Sequence, residues 1–367
     1  MTTFVQLTTF HLGGPIAHFE ETSTEAELID AVRGADADGT PLLVLGGGSN
    51  ILPSDEPFDG LVVRDTRREI TGGAPSSCVG ALVSAPAGAV WDDLVQFAIA
   101  SEWMGVEALS GIPGSVGAAP VQNVGAYGQE VAETLASVRV WDRLEGRPRL
   151  LALSELQLGY RDSLLKRTLR DQAAGGGRTW GPTGRYVVLQ VDFQMRLASL
   201  SAPIRYAELA RKLGVEVGAR VPARDVREAV LELRRSKGMV VDESDHDTWS
   251  AGSFFTNPIL TAQEAQALPP DAPRFAVSDH TAIHQIDGAP PVVPGLVKTS
   301  AAWLIDHAGF GKGYGLPGPA ALSTKHVLAL TNRGGATAAD VKALAAEVVE
   351  GVRKVFGVTL VPEPVVL

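Results

Sequence analysis

The segment that most limits what this chain can fold into is a short, wholly apolar run, Pro41-Leu42-Leu43-Val44-Leu45, which stops abruptly at Gly46-Gly47-Gly48-Ser49-Asn50. The run reads as a buried strand, and the glycines turn the chain at its end. Before it, Ser23 and Thr24 precede Glu25 and Glu27, and Leu28, Ala31 and Val32 recur at helical spacing. Residues 23–34 therefore read as a capped amphipathic helix. A second apolar run, Leu61-Val62-Val63, follows the turn. The N-terminal part is expected to be β-α-β.

Beyond it the pattern is mixed. Apolar runs at 78–87, 136–141 and 186–192 predict strands, and Asp92 to Ser101 predicts a helix. Between them lies a Gly- and Pro-rich stretch, 110–128. Ala173-Ala174-Gly175-Gly176-Gly177-Arg178 has a composition that cannot pack a core and is expected to loop out as a flexible insertion. Pro222 to Lys237 reads as a helix with Val226, Ala229, Val230 and Leu233 on one face. The acidic Asp242-Glu243-Ser244-Asp245-His246-Asp247 then suggests an exposed connection into another unit. Near the end, Thr337 and Asp340 cap a helix whose apolar stripe is Val341, Leu344, Ala345, Val348, Val352 and Val355, and Gly357 ends it. Val358-Thr359-Leu360-Val361 is expected to close the fold as a strand that carries Glu363 with it. There are no internal repeats and no coiled-coil heptads.

A length of 367 residues exceeds what one hydrophobic core usually supports, so two or three domains are expected. Apolar residues at 45% and charged residues at 20% match folded domains and exclude wholesale disorder. A net charge of −10, with no basic stripe beyond the pairs Arg67-Arg68 and Arg234-Arg235, argues against a nucleic-acid partner. The single cysteine, Cys78, can form neither an intrachain disulfide nor a zinc cluster, so no metal site and a reducing cytoplasm are expected. Cys78 itself reads as a small buried apolar residue rather than a nucleophile. Met1 to Leu7 lacks the basic flank and apolar core of a signal peptide. No run of about 18 uncharged apolar residues occurs, so no membrane span is expected.

Two glycine-rich turns could carry chemistry. In Gly46-Gly47-Gly48-Ser49-Asn50, glycines let backbone N–H groups wrap a phosphate oxygen, and Ser49 and Asn50 add side-chain donors. It is not a Walker loop, and Ile51 breaks a G-x-G-x-x-G pattern; by itself it fits a tight β-turn equally well. The second runs Gly111-Ile112-Pro113-Gly114-Ser115-Val116-Gly117-Ala118-Ala119-Pro120, then Gln122-Asn123-Val124-Gly125-Ala126-Tyr127-Gly128. So many small residues allow a backbone to approach a large flat ligand and its pyrophosphate. A mobile loop is the alternative, although mobile loops seldom combine Ile, Val and Pro with this glycine spacing.

Together these segments resemble the UDP-N-acetylenolpyruvoylglucosamine reductase (UDP-N-acetylmuramate dehydrogenase) family. The opening Thr8-Thr9-Phe10-His11-Leu12-Gly13-Gly14-Pro15 is similar to that family's entry segment. So are Gly159-Tyr160-Arg161-Asp162-Ser163, Gly252-Ser253-Phe254-Phe255-Thr256-Asn257-Pro258, Ala302-Trp303-Leu304-Ile305-Asp306 and Pro362-Glu363. They occur in the family's order along nearly the whole chain.

The resemblance implies an α+β protein: a two-subdomain FAD-binding region of the vanillyl-alcohol-oxidase type, at 1–70 and 71–215, plus a separate α/β substrate-binding domain at 238–356. Residues 357–367 would return to the active site as a strand. It implies noncovalent FAD held by Gly46, Gly47, Gly48, Ser49, Asn50, Gly114, Ser115, Gly117, Ala118 and Gly125, with NADPH as donor and an enolpyruvyl nucleotide sugar as substrate. The pathway implied is peptidoglycan precursor synthesis. By the same resemblance Arg161 holds the substrate carboxylate, Glu363 assists the enol and Ser253 delivers a proton to C2. A planar guanidinium fork suits the first role, and prolines on each side of Glu363 stiffen its backbone. Tyr160, Arg234, Lys237 and Asn257 would contact substrate. Tyr206 would belong to the subgroup whose tyrosine loop closes over the sugar, and His307 stands where some members have glutamine. Two alternatives stay open: a flavin oxidase of the same fold, and a non-catalytic nucleotide-sugar-binding protein.

Overall fold

Thr24 and Glu27 satisfy each other's backbone N–H groups, so the first helix, α1 (Glu25–Asp38), begins on a capping box and ends at Gly39 in the left-handed conformation. Its Leu28, Val32 and Ala35 face inward. Strands β1 (Ile16–Thr22), β2 (Leu42–Val44) and β3 (Phe58–Asp65) form a sheet in the order β1-β3-β2, with β2 parallel to β3. The β-α-β reading of this part holds. The computed structural model describes residues 1–73, 75–76, 80–279 and 291–367; Cys78 lies outside them.

The chain groups into two units. One comprises Ala17–Gly47 and Asp59–Arg235; the other comprises Met1–Ile16, Gly48–Phe58 and Ser236–Leu367. The first unit adds to the β-α-β part a larger sheet containing β4 (Ala81–Pro86), β5 (Leu135–Asp142), β6 (Arg147–Ala152) and β7 (Tyr186–Leu197). These run antiparallel in the order β6-β5-β7-β4. Helix α2 (Trp91–Ala100) buries Trp91, Leu94, Val95 and Ala98 in a core shared with Val83, Val138, Val191 and Phe193. Trp141, Val187 and Leu189 pack instead with Leu28, Val32 and Val63, so the two sheets of this unit share apolar contacts. Helix α3 (Ala223–Ser236) buries Val226, Ala229 and Val230, as the spacing predicts.

The expected flexible insertion is ordered. Asp171 caps a one-turn helix, Gln172–Gly175, by accepting from Ala173 and Ala174 N–H, and Trp180 Nε1 donates to Gly175 O at 2.8 Å. The Arg178 guanidinium lies 3.5 Å from the Trp180 ring centre. An indole three residues beyond the glycines anchors them, and composition within the window alone did not register it.

In the second unit, helix α4 (Ala338–Phe356) runs from the Thr337/Asp340 capping box to left-handed Gly357. It buries Val341, Leu344, Ala345, Val348 and Val352 against Phe10, Leu12, Phe254, Phe255, Leu304 and Leu330. Val355 of the expected stripe is exposed. A three-stranded antiparallel sheet has the order Ile259–Thr261, Val292–Lys298, Phe275–Ser278. The acidic run is not merely an exposed connection. Asp247 is buried and accepts from Thr324 N at 2.9 Å and from Arg333 Nη1 at 2.8 Å, and Lys325 pairs with Asp245 at 2.5 Å. Distant cations and hydroxyls fold these carboxylates back onto their own unit. The closing strand also lies later than expected. Residues 358–361 form no regular strand, and Val365–Val366 pairs in parallel with Ile51–Leu52.

Candidate functional site

In the first unit the two glycine turns meet. A Cβ added to Gly46 would lie 2.5 Å from Ser115 Oγ, and one added to Gly47 would lie 2.6 Å from Gly114 Cα. At Gly47 the obstacle is backbone, so no side chain fits while the turns keep this spacing; at Gly46 the Ser115 hydroxyl would have to rotate away. Residues 116–118 form a single tight turn, bound through Val116 N to Ala89 O at 2.8 Å and Gly117 N to Ala87 O at 2.9 Å. A Cβ on Gly117 would strike Ala87. Gly46, Gly47, Gly114, Ser115, Gly117 and Ala118 therefore form one backbone-rich surface. That surface allows the close backbone approach which a pyrophosphate and flat ring system require.

The second turn is clamped from below. Arg161, itself left-handed with φ 55°, donates through Nη1 to Asn123 O at 3.3 Å and through Nη2 to Gly125 O at 2.7 Å. Its guanidinium lies 5.6 Å from the Tyr160 ring centre. Lys166 Nζ bonds Gln122 Oε1 and Arg161 O, and Ser163 Oγ donates to Val121 O. From helix α3, Arg234 Nε donates to Gly111 O at 3.3 Å. Burial pulls the Arg234 guanidinium down to about 10, which still leaves it charged at neutral pH. The nearby Tyr127 phenol is pushed up to about 12 by burial, so it acts as a neutral hydroxyl. Its ring meets Tyr206 edge-on at 5.7 Å. Asp92 accepts from Gly111 N and, bidentately, from Arg227. Burial opposes its charge, but these bonds outweigh that and hold the carboxyl below its ordinary range. The sum is a cationic, tyrosine-walled rim on the second glycine turn, suited to an anion.

The second unit holds Gly48, Ser49 and Asn50 of the first turn. Left-handed Gly48 presses so close to Leu7 O that no Cβ fits. Two segments converge there. Glu363 N donates to Phe254 O at 2.8 Å, Thr256 N to Val361 O at 3.0 Å, and Val365 N to Asn50 O at 3.0 Å. Ser253, Glu363 and Asn50 are thereby drawn onto one backbone-bonded ribbon. Left-handed Gly252 (φ 70°) precedes Ser253, and buried Phe254 and Phe255 anchor the strand that follows. Asn257 Oδ1 accepts from Ala301 N at 2.9 Å, at the start of the helix Ala301–His307 that Ser300 caps. His307 stacks on Trp303 at 3.9 Å between ring centres, its Nδ1 2.9 Å from Trp303 O. Lys237 follows helix α3 directly.

Sequence reasoning missed Asn123, Tyr127, Asp92 and Arg227. The first two sit inside the quoted Gln-Asn-Val-Gly-Ala-Tyr-Gly run, a signal present but not resolved to single residues. Nothing in the sequence ties Asp92 to Arg227, 135 positions away.

Residues 16–149 match the FAD binding domain family, and residues 243–367 match the UDP-N-acetylenolpyruvoylglucosamine reductase C-terminal domain family. The chain is 52% identical to UDP-N-acetylenolpyruvoylglucosamine reductase of Cutibacterium acnes, over 98% of this chain and 87% of that protein. It is 50% identical to the same-named protein of Thermobifida fusca, over 98% of this chain and 95% of that one. Among solved structures it is similar to UDP-N-acetylenolpyruvylglucosamine reductase from Thermus caldophilus. The TM-score is 0.61 and the identity 25%, covering 100% of this chain and 97% of that one.

Proposed function

Since the chain belongs to the UDP-N-acetylenolpyruvoylglucosamine reductase family and is an FAD-dependent oxidoreductase, we propose a division of labour among its own residues in reducing UDP-N-acetylglucosamine enolpyruvate to UDP-N-acetylmuramate. When bound and reduced by NADPH, FAD would supply the hydride equivalent that adds at C3 of the enolpyruvyl alkene. Gly46, Gly47, Gly48, Ser49, Asn50, Gly114, Ser115, Gly117, Ala118 and Gly125 would hold the cofactor's pyrophosphate and ribityl chain, a role that suits turns whose backbone at Gly47, Gly48 and Gly117 leaves no room for a Cβ.

Addition at C3 leaves negative charge on the substrate's carboxylate and C2. Arg161 receives that carboxylate through its planar fork, and charge-assisted bonds strengthen as the charge develops. Glu363 shares a proton with the enol, and Ser253 passes a proton to C2, where the new C–H bond completes the lactyl ether. Tyr160, Arg234 and Lys237 favour an anionic nucleotide sugar, and Tyr206 closes over it. Asn257 and His307 add polar contacts to the same substrate. The main support for this reading is the ribbon that joins Phe254 to Glu363 by a 2.8 Å backbone bond. Among the described residues no helix is long and apolar enough to cross a membrane.

Ser253→Ala tests the assignment. We expect flavin reduction by NADPH to stay within about threefold of the unsubstituted protein. Reoxidation by the enolpyruvyl sugar should slow by about 10²–10⁴-fold, the contribution of a positioned acid. Equal losses in both half-reactions would remove Ser253 from the proton-donor role.

A further inference from the structure

Asn123 is fully buried and left-handed, with φ 43°. Asparagine is among the few non-glycine residues that take this conformation readily. Its side chain ties together three separate segments. Nδ2 donates to Glu130 Oε2 at 2.8 Å and to Gly159 O at 3.0 Å, while Oδ1 accepts from Ala132 N at 3.1 Å. Gly159 and Asp162 pair across a tight turn, and Arg161 lies inside that turn. The amide of Asn123 thus grips the turn that carries Arg161, and the Asn123 main-chain carbonyl accepts from the Arg161 guanidinium. Both the backbone and the head group of Arg161 are referenced to this one residue.

We propose that Asn123 is a positioning residue for Arg161, fixing where its guanidinium meets the substrate carboxylate. The inference rests on the reading of Arg161 given above. No other small side chain does this work. Aspartate has no donor for Glu130 or Gly159, and glycine keeps the left-handed backbone but leaves Glu130 Oε2, Gly159 O and Ala132 N without this partner. A displacement of about 1 Å at a group that orients the reacting molecule costs about 10²-fold in rate.

The test uses the flavin-loaded full chain, with rates taken per bound flavin. Asn123→Gly is expected to slow reoxidation by the enolpyruvyl sugar about 10–100-fold and to leave reduction by NADPH within about threefold. Asn123→Asp, which keeps the acceptor and the backbone conformation, should show the same asymmetry and serves if glycine disturbs folding. Combined with Arg161→Ala, either change should add less than about threefold, because both act through one group. A binding readout accompanies the rates. Both Asn123→Gly and Arg161→Ala should weaken calorimetric affinity for UDP-N-acetylmuramate, which bears the carboxylate, more than for UDP-N-acetylglucosamine, which lacks it. The proposal is overturned if the losses at 123 and 161 multiply, if both half-reactions fall equally, or if both nucleotide sugars weaken alike. A normal reoxidation rate in Arg161→Ala alone would instead overturn the reading of Arg161, and this proposal with it.

Discussion

Replacing Gly47 by alanine asks whether the contact between the two glycine turns holds the cofactor. The new methyl would sit 2.6 Å from Gly114 Cα and 3.2 Å from both Gly114 N and Gly114 C. Carbon atoms rest at about 3.5–4.0 Å, so one turn must withdraw by about 1 Å. The obstacle is backbone, which cannot swing aside as a side-chain tip would. Overpacking of this kind costs about 1–3 kcal/mol. If FAD requires the closed spacing, that cost is taken from its binding, and Kd should rise about 5- to 150-fold. Titration of deflavinated protein with FAD, followed by flavin fluorescence, measures the change directly. Gly34→Ala is the control. It lies within helix α1 with nothing within 4 Å of its added Cβ, so it should leave Kd unchanged and stabilise the helix by about 0.5–1 kcal/mol. A Gly47→Ala protein that binds FAD within about twofold of the unsubstituted chain would refute the reasoning.

Two further outcomes concern stability. Asp142 is fully buried and accepts bidentately from Arg185, at 2.8 and 2.6 Å, and from the N–H groups of Leu144 and Glu145. Asp142→Ala leaves the buried Arg185 guanidinium only its longer 3.4 Å contact with Glu145 Oε1 and should cost about 3–5 kcal/mol, or about 6–20 °C in Tm for a unit of this size; a calorimetric shift under about 2 °C would contradict it. For Asp247, burial favours the neutral form, but Thr324 and Arg333 outweigh it and hold the carboxyl below its ordinary range. A depressed folded value means its contribution is complete above the unfolded value of about 3.9 and fades as pH falls below it. Asp247→Asn should therefore flatten the acid limb of the urea-midpoint profile between about pH 5 and 3, and parallel limbs would rule the linkage out.

The helices of this protein were legible because their signals are local. Thr24 with Glu27 and Thr337 with Asp340 are three residues apart, and the apolar stripes recur within one or two turns. The glycine turns were legible as places where backbone can approach a ligand, though what excludes a side chain at Gly47, the backbone of Gly114, lies far along the chain. The misreadings share one cause. Gly175–Gly177 looked flexible and Asp245–Asp247 looked exposed because their partners, Trp180, Thr324, Lys325 and Arg333, lie outside the window in which composition was judged. The terminal strand failed for a related reason: its pairing depends on Ile51–Leu52, more than three hundred residues earlier, and not on its own apolarity. Arg161, Ser253 and Glu363 carried no decisive local chemistry and were singled out by resemblance alone.

The central claim is that electrons pass through the flavin to an enolpyruvyl carbon. Purified protein should show the visible flavin band; under anaerobic conditions NADPH should bleach it, and stoichiometric UDP-N-acetylglucosamine enolpyruvate should then restore it with UDP-N-acetylmuramate as product. A band that the enolpyruvyl sugar leaves bleached, and that returns only when air is admitted, would contradict the account and point to an oxidase.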